Sequence, residues 1–204
     1  GAVARWHQPV FPEKRKYDHI HLEIIASDGT YFNPAAFVST DKDYYPPIIH
    51  NIYAARHGSD EAVSLDANNQ TLRGKVDIII GVNDRMNHSA YQHSVYCSRW
   101  SLEQLHENGT STITIPEQEI FRFDILPFTG ERVQLSKVIF RDSLRVGSNR
   151  VRANGADGPR FFLINLTSGT TTAGYSPTTC LDTTLLANGR YRLNISVFDS
   201  AGNH

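Results

Sequence analysis

The sequence predicts a mainly β protein in which a short hairpin segment precedes a β-sandwich with an inserted excursion. Short segments rich in β-branched and aromatic residues recur at 48–54, 75–82, 94–102, 112–115, 120–125, 161–166 and 191–198. Several are separated by Asn-Gly or Asp-Gly pairs, which accept the positive φ angles of tight reversals. Short strands punctuated in this way are typical of a sandwich.

The composition of the 204 residues indicates a folded globular protein. Lysine and arginine number 20, aspartate and glutamate number 21, and the formal net charge is -1. Because the charges nearly balance, no long-range field favours nucleic acid or an anionic membrane surface, and we expect no nucleic-acid partner. The hydrophobic fraction of 40% is sufficient for a packed core. No run approaches the ~18 apolar residues of a membrane helix, so no transmembrane segment is predicted.

The N-terminal part is predicted to form a hairpin that ends at a linker. Apolar and polar residues alternate from Ile20 to Ile24, and Ser27-Asp28-Gly29-Thr30 supplies a turn. Asn33-Pro34 ends the second arm, because proline withholds a backbone donor. Residues 40–47 contain a Pro-Pro pair and mark a boundary. The predicted organisation is a hairpin segment at 1–40, a linker with the first strand at 41–65, and a sandwich at 66–204 with an insert at about 127–160.

Three segments of the sandwich carry specific expectations. Residues 191–198 are predicted to be a central strand that buries Tyr191, Leu193, Ile195 and Val197. The arginine-rich stretch from Lys137 to Arg152 lacks clean alternation and is interpreted as a partly helical excursion. The stretch from Thr167 to Thr179 is rich in Ser, Thr and Gly and is predicted to be a mobile loop.

The two cysteines, Cys97 and Cys180, lie far apart and outside any Cys-x-x-Cys spacing. This excludes a structural zinc site made of thiolates. A long-range disulfide and two separate buried thiols both remain open.

The sequence pattern with the clearest chemical meaning is His19-Ile20-His21-Leu22-Glu23-Ile24. On a strand, residues two apart project from the same face, so both imidazoles and the Glu23 carboxylate would point one way. Two imidazoles in this arrangement can converge on one metal, or one can bind the metal while the other handles a proton. The alternative is the solvated polar face of an edge hairpin.

The stretch Asp18-His19-Ile20-His21-Leu22-Glu23-Ile24, the turn at Asp28-Gly29 and Phe32-Asn33-Pro34-Ala35-Ala36-Phe37 together resemble the last motif of the M23 (lysostaphin/LytM-type) zinc metallopeptidases. The resemblance covers about twenty residues. It implies that His21 stands where the family places its last zinc ligand, and that His19 assists the attacking water or stabilises the transition state. Asn33 belongs to the family's Asn-Pro element. The implied substrate is a peptide crosslink, usually in peptidoglycan.

The sequence departs from that family upstream. The family takes two zinc ligands from an HxxxD motif and a further catalytic histidine from a YxH-type strand. The residues before His19 contain one histidine, His7, and no such motif. A tetrahedral zinc needs more protein ligands than His21 alone. Zinc is therefore expected only if residues outside this chain complete the site.

Residues 72–84 and 186–203 resemble strands of the bacterial immunoglobulin-like or fibronectin-like modules that are appended to such peptidases. In those modules a D-x-A-G-N turn, here Asp199-Ser200-Ala201-Gly202-Asn203, leads into one more strand. We therefore expect the sheet edge beside 191–198 to be open or filled from elsewhere, for example by a second protein chain.

Two further groups of residues carry weaker signals. Asp66, Asp84 and Asp199 could line a calcium site at one end of the sandwich, but no EF-hand type loop is present and solvated turn carboxylates are the preferred interpretation. The basic residues Arg141, Arg145, Arg150, Arg152 and Arg160 could meet an acidic partner or form a solvated face.

Three functional hypotheses follow. The first is a non-catalytic fragment of an M23-type cell-wall peptidase homologue, periplasmic or secreted, whose immunoglobulin-like part mediates assembly or substrate positioning. The second is one half of a peptidase that another chain completes. The third is a structural or adhesive sandwich subunit in which the two histidines are incidental.

Overall fold

The structure is a computed structural model that describes residues 5–6, 20–29, 31–32, 34, 37–38, 42–66, 70–85, 92–122, 137–153 and 161–204. The chain divides into two compact units. The first consists of Gly1–Asp41 with Phe123–Gly130, and the second of Lys42–Arg122 with Glu131–His204. Within the described residues, no helix is long and apolar enough to span a membrane.

The first unit contains two small antiparallel pairs of strands. Strand β1 (Arg5–Trp6) pairs with β2 (Ile20–His21), and β3 (Ile24–Ile25) pairs with β4 (Tyr31–Phe32). The turn between β3 and β4 contains Gly29 with a φ of 86°, which confirms the predicted reversal. The predicted continuous strand is wrong at residues 22–23, which lie outside both pairs.

The regular secondary structure described in the second unit consists mainly of strands, with a 3-10 helix at Thr183–Leu185. In chain order these are β5 (Ile48–Arg56), β6 (Glu61–Ser64), β7 (Lys75–Asn83), β8 (Cys97–Leu105), β9 (Ser111–Arg122), β10 (Phe140–Arg141), β11 (Ser143–Val146), β12 (Asn149–Arg152), β13 (Phe162–Asn165), β14 (Gly169–Thr170), β15 (Gly174–Tyr175), β16 (Leu181–Asp182) and β17 (Arg190–Phe198). The larger sheet has the order β10-β13-β7-β5-β6-β11-β12, with β16 also paired to β7. The smaller sheet has the order β17-β8-β9.

The two sheets share one core, which gives the unit a sandwich-like arrangement. Val76, Ile78 and Ile80 of β7 are buried in the same cluster as Trp100 of β8 and Val197 of β17. The mainly β fold class is thereby confirmed, while the immunoglobulin-like topology stays a prediction. Strand β7 is buried on both faces, because its Ile79 joins a second core with Tyr53, Leu144 and Leu163 on the other face of the larger sheet.

Two predictions about single segments are wrong. Strand β17 is not central, since within the described residues it pairs with β8 alone. Its facing was predicted correctly: Val197 is buried, and Tyr191, Leu193 and Ile195 pack half-buried against the shared core. The stretch at 137–152 is not an excursion outside the sheet, because β10, β11 and β12 join the larger sheet after a short helical turn at 137–139.

Both cysteines are free thiols. Cys97 is buried and Cys180 is half-buried. Burial, followed by the Glu119 charge, raises the pKa of Cys97 to about 11, and burial is also the main cause of the raised pKa of Cys180. A nucleophilic cysteine needs a lowered pKa, so neither thiol is suited to catalysis at neutral pH.

Candidate functional site

The residues that carry the peptidase resemblance lie in the first unit. His21 closes β2 opposite Arg5, and Glu23 is exposed between β2 and β3. His19 and Asn33 lie outside the described residues, so the predicted shared face of His19 and His21 stays a prediction.

The described residues do not fit a zinc ion. Under the resemblance, His21 would be the one ligand of the family's set in this chain. Within the described part of the chain, the single group of potential metal-ligating side chains is Asp43, Asp84 and Asp199, whose ligand atoms lie within 4.8 Å of one another. Three carboxylates without nitrogen or sulfur ligands do not make the usual zinc site.

This acidic cluster corresponds in part to the predicted calcium site. The fold brings Asp84 and Asp199 together but adds Asp43 from the predicted linker. Asp66 lies elsewhere, accepting hydrogen bonds from the Ser64 hydroxyl (2.9 Å) and the backbone of Ile52 (3.2 Å). Asp199 stabilises the turn that follows it, because its carboxylate accepts hydrogen bonds from the backbone N–H groups of Ala201 and Asn203, both at 2.8 Å.

The environment of Asp84 predicts a pH-dependent stability. The pKa of Asp84 is raised to about 6: burial is the largest cause, a hydrogen bond from the Arg85 backbone opposes it, and the Asp199 and Asp43 charges contribute to the rise. Because the folded pKa lies above the ordinary value of 3.8, the stability that Asp84 contributes is complete below pH 3.8 and is lost as pH rises through about 6.

We expect Asp84→Asn to raise the free energy of unfolding at pH 7 by about 1–3 kcal/mol and to have little effect at pH 3.5. Denaturant unfolding at several pH values measures this difference. Asp60→Asn, at an exposed carboxylate outside the cluster, is the control. A gain that is independent of pH would contradict the assigned cause.

A second charged group surrounds Asp77 of β7, which is fully buried. Its carboxylate lies 2.9 Å from Nδ1 of His57 and accepts a hydrogen bond from Nη2 of Arg141 at 2.6 Å. Two partners that can carry positive charge thus compensate one buried anion, which is an arrangement for stability. The arginines of the predicted basic group have different contacts. Arg141 forms an ion pair with Asp77, and Arg150 donates a hydrogen bond to the Ser143 hydroxyl at 2.9 Å. Arg160 lies outside the described residues.

A candidate binding feature of the second unit is a partly open cavity of about 500 Å³, here called the loop cavity. It lies between β8, β9 and the segment 166–181. Its apolar lining includes Trp100, Ile115, Leu166 and Leu181, and its polar lining includes Gln118, four threonines and one serine. The volume falls in the usual range of about 300–1,000 Å³ for small-molecule sites.

The loop that covers the cavity is a hairpin of β14 and β15. The hairpin requires Gly169, whose φ is 137° and where a Cβ would collide with the carbonyl oxygen of Gly174. Thr171 fastens the hairpin to β9 by donating its backbone N–H to the Glu119 carbonyl at 3.0 Å and its hydroxyl to the Glu119 carboxylate at 3.2 Å. The segment predicted to be a mobile loop therefore contains an anchored hairpin.

Two aromatic residues give the loop cavity its chemical character. Trp100 is 6% exposed, and its indole N–H has no hydrogen-bond partner within the described residues. A buried donor without an acceptor is unfavourable by about 1–3 kcal/mol. Burial, followed by the Glu119 charge, raises the pKa of Tyr175 to about 12, so the phenol stays neutral across the physiological range.

Comparison of the chain with protein-family models, with curated proteins and with solved structures finds no match. The role of the loop cavity is therefore argued from its geometry.

The sequence offered part of the signal for this cavity. The density of Ser, Thr and Gly at 167–179 marked a loop, and hydroxyl side chains in such a loop are a hint of hydrogen-bonding function. The contributions of Trp100 and Gln118 come from β8 and β9, far away in sequence. The alternation of apolar and polar residues predicted strands at these positions. It did not predict which loop would lie beside Trp100 and Gln118 in the folded chain.

Proposed function

We propose that this chain is a non-catalytic, extracytoplasmic relative of the M23-type cell-wall peptidases, and that its second unit positions a neutral, hydroxyl-rich ligand such as a peptidoglycan glycan segment in the loop cavity. The observation that supports a neutral ligand is the lack of charged residues in the cavity lining. Among the described residues that line the cavity, none has a formal charge. Such a lining gives no counter-ion to a phosphate, a carboxylate or an ammonium group.

The polar and apolar groups of the cavity suit a sugar. Threonine and serine hydroxyls both donate and accept hydrogen bonds, as sugar hydroxyls do, and the Gln118 amide offers both functions on one side chain. Leu166, Leu181 and the Trp100 ring supply apolar surface for the hydrophobic face of a sugar ring.

The resemblance at residues 18–37 supports the cell-wall assignment, because the implied substrate of that family is a peptide crosslink, usually in peptidoglycan, whose glycan strands are the segments proposed to bind here. Peptidoglycan is thus the proposed partner, and the location is proposed to be the periplasm or the outside of the cell.

The test is a titration with the tetramer of N-acetylglucosamine, which is neutral. The chain has two tryptophans, so a Trp6→Phe background leaves Trp100 as the one reporter. We expect a saturable change in Trp100 fluorescence, and co-sedimentation of the protein with peptidoglycan sacculi. Thr172→Val and Thr179→Val, both in the lining, should each weaken binding about fivefold, the value of one hydrogen bond.

Thr114→Val is the matched control, because Thr114 is exposed on β9 and outside the cavity lining. It should leave the affinity unchanged. If millimolar sugar gives no saturable response and sacculi do not retain the protein, the proposed ligand is wrong.

A further inference from the structure

The outer edge of the smaller sheet is formed by β17, a regular strand of nine residues. It pairs with β8 in unbroken register from Arg190 opposite Leu105 to Phe198 opposite Cys97. Within the residues that the structure describes, no strand pairs with its other side. An edge of this length presents a row of backbone N–H and C=O groups to any chain that can pair with it.

The opposite edge of the same sheet is protected, and β17 is not. Strand β9 carries Pro116, has three register irregularities against β8, and gives the Glu119 carbonyl to Thr171 of the cavity hairpin. Proline, bulges and a covering loop are the usual means by which an edge is closed to further pairing. Strand β17 has no proline, and its register with β8 has no bulge.

The core-facing row of β17 is incompletely covered. Tyr191, Leu193 and Ile195 pack against the shared core but are half-buried, whereas Val197 is buried. A further strand beside β17 would cover the exposed part of this row. The outward row is polar except for Phe198: Asn194 donates to the Glu103 carboxylate at 3.1 Å, and Arg192 lies 3.6 Å from the same carboxylate.

The sequence of β17 is complementary to itself in the antiparallel direction. A two-fold axis at Asn194, the middle residue, places Leu193 opposite Ile195 and Tyr191 opposite Val197 on the core side. On the outer side it places Arg192 opposite Ser196, and Arg190 opposite Phe198. On the core side apolar residues face apolar ones, and on neither side do like charges stand directly opposite each other. Two-fold contacts of this kind are the commonest in homo-oligomers.

We infer that β17 pairs with β17 of a second copy of this chain, joining two three-stranded sheets into one six-stranded sheet centred on Asn194. The inference is independent of the glycan proposal, because β17 contributes no residue to the lining of the loop cavity.

The first test is the molar mass of the purified protein, measured by light scattering over a range of concentrations. We expect a dimer, with twice the chain mass of 22.9 kDa. Leu193→Lys would place a charge in the joined core-facing row and should raise the dissociation constant about a hundredfold or more. Leu193→Thr removes apolar surface without adding charge and should remain dimeric at high concentration.

A wild-type protein that is monomeric at every concentration would overturn the inference, and so would a dimer that survives Leu193→Lys in a folded protein. Circular dichroism of both variants establishes that they are folded. If Leu193→Lys does not fold, the cysteine variants of the second test decide the question.

The second test examines the register. In the proposed pairing, Asn194→Cys places two thiols opposite each other on the axis, where an intermolecular disulfide should form under mild oxidation. Ser196→Cys is the matched control, because Ser196 stands opposite Arg192 and not opposite its own copy. Crosslinking at 194 but not at 196 supports the axis; the reverse result, or crosslinking at neither position, overturns it.

Discussion

Asp77→Ala is expected to lower the free energy of unfolding at pH 7 by about 3–5 kcal/mol, the usual result of breaking a buried ion pair. Asp77 is fully buried, and the Arg141 and His57 side chains that meet it are 23% and 21% exposed. Removing the carboxylate leaves the guanidinium without its anion in a site that water reaches poorly. Chemical denaturation gives the size of the loss.

A double-mutant cycle separates the pair from the packing around it. Replacing both partners, as in Asp77→Leu with Arg141→Met, removes both charges and should restore much of the loss, because an apolar pair costs less than one orphaned charge. Arg192→Ala, at the exposed pair with Glu103, serves as the control and should cost less than about 1 kcal/mol. If Asp77→Ala cost no more than Arg192→Ala, Asp77 would not be the compensated buried anion described above.

Gly169→Ala is expected to destabilise the cavity hairpin by about 2–4 kcal/mol and to abolish sugar binding. At a φ of 137° any side chain is strained, and the new Cβ would meet the Gly174 carbonyl and the Tyr175 backbone. The hairpin cannot keep both its pairing and its place over Trp100. Sugar titration and thermal unfolding of the variant measure the two effects.

The matched control for that prediction is Gly174→Ala in the same hairpin. Gly174 also has a positive φ, of 80°, but nothing lies within 4 Å of an added Cβ. Its stability cost should be limited to backbone strain, about 1 kcal/mol. Because Gly174 also lines the loop cavity, binding should weaken but not be abolished. Equal losses in the two variants would show that the close approach at Gly169 does not matter.

The strands of the second unit could be predicted from the sequence because burial on one or both faces leaves a local pattern. The predicted segments at 48–54, 75–82 and 191–198 correspond to β5, β7 and β17. One division was wrong: residues 112–115 and 120–125 were predicted as separate strands, whereas β9 runs through Pro116. Proline is tolerated there because β9 lies at an edge, and edge position is a property of the whole sheet.

The neighbours of each element could not be predicted, because they depend on contacts between distant residues. Alternation gave the facing of β17 but wrongly suggested a central strand. The open edge beside 191–198, which the structure shows within its described residues, was expected from the resemblance at Asp199–Asn203 and not from alternation. The acidic cluster shows the same limit. Asp84 and Asp199 stood out as turn carboxylates, while Asp43 lay in a presumed linker and joins them only in the folded chain.

The two-faced strand β7 has a consequence for the order in which the chain is synthesised. Its early neighbour β5 precedes it, but β13 and β16, which complete its hydrogen bonding, are made only when residues 162–182 emerge. Until then the growing chain outside the ribosome contains a stretch with Ile78, Ile79 and Ile80 whose backbone is unpaired on one edge. Such a segment is prone to intermolecular β pairing, and the large sequence separation of its partners slows its protection. The nascent chain is therefore the form of this protein that most needs a chaperone.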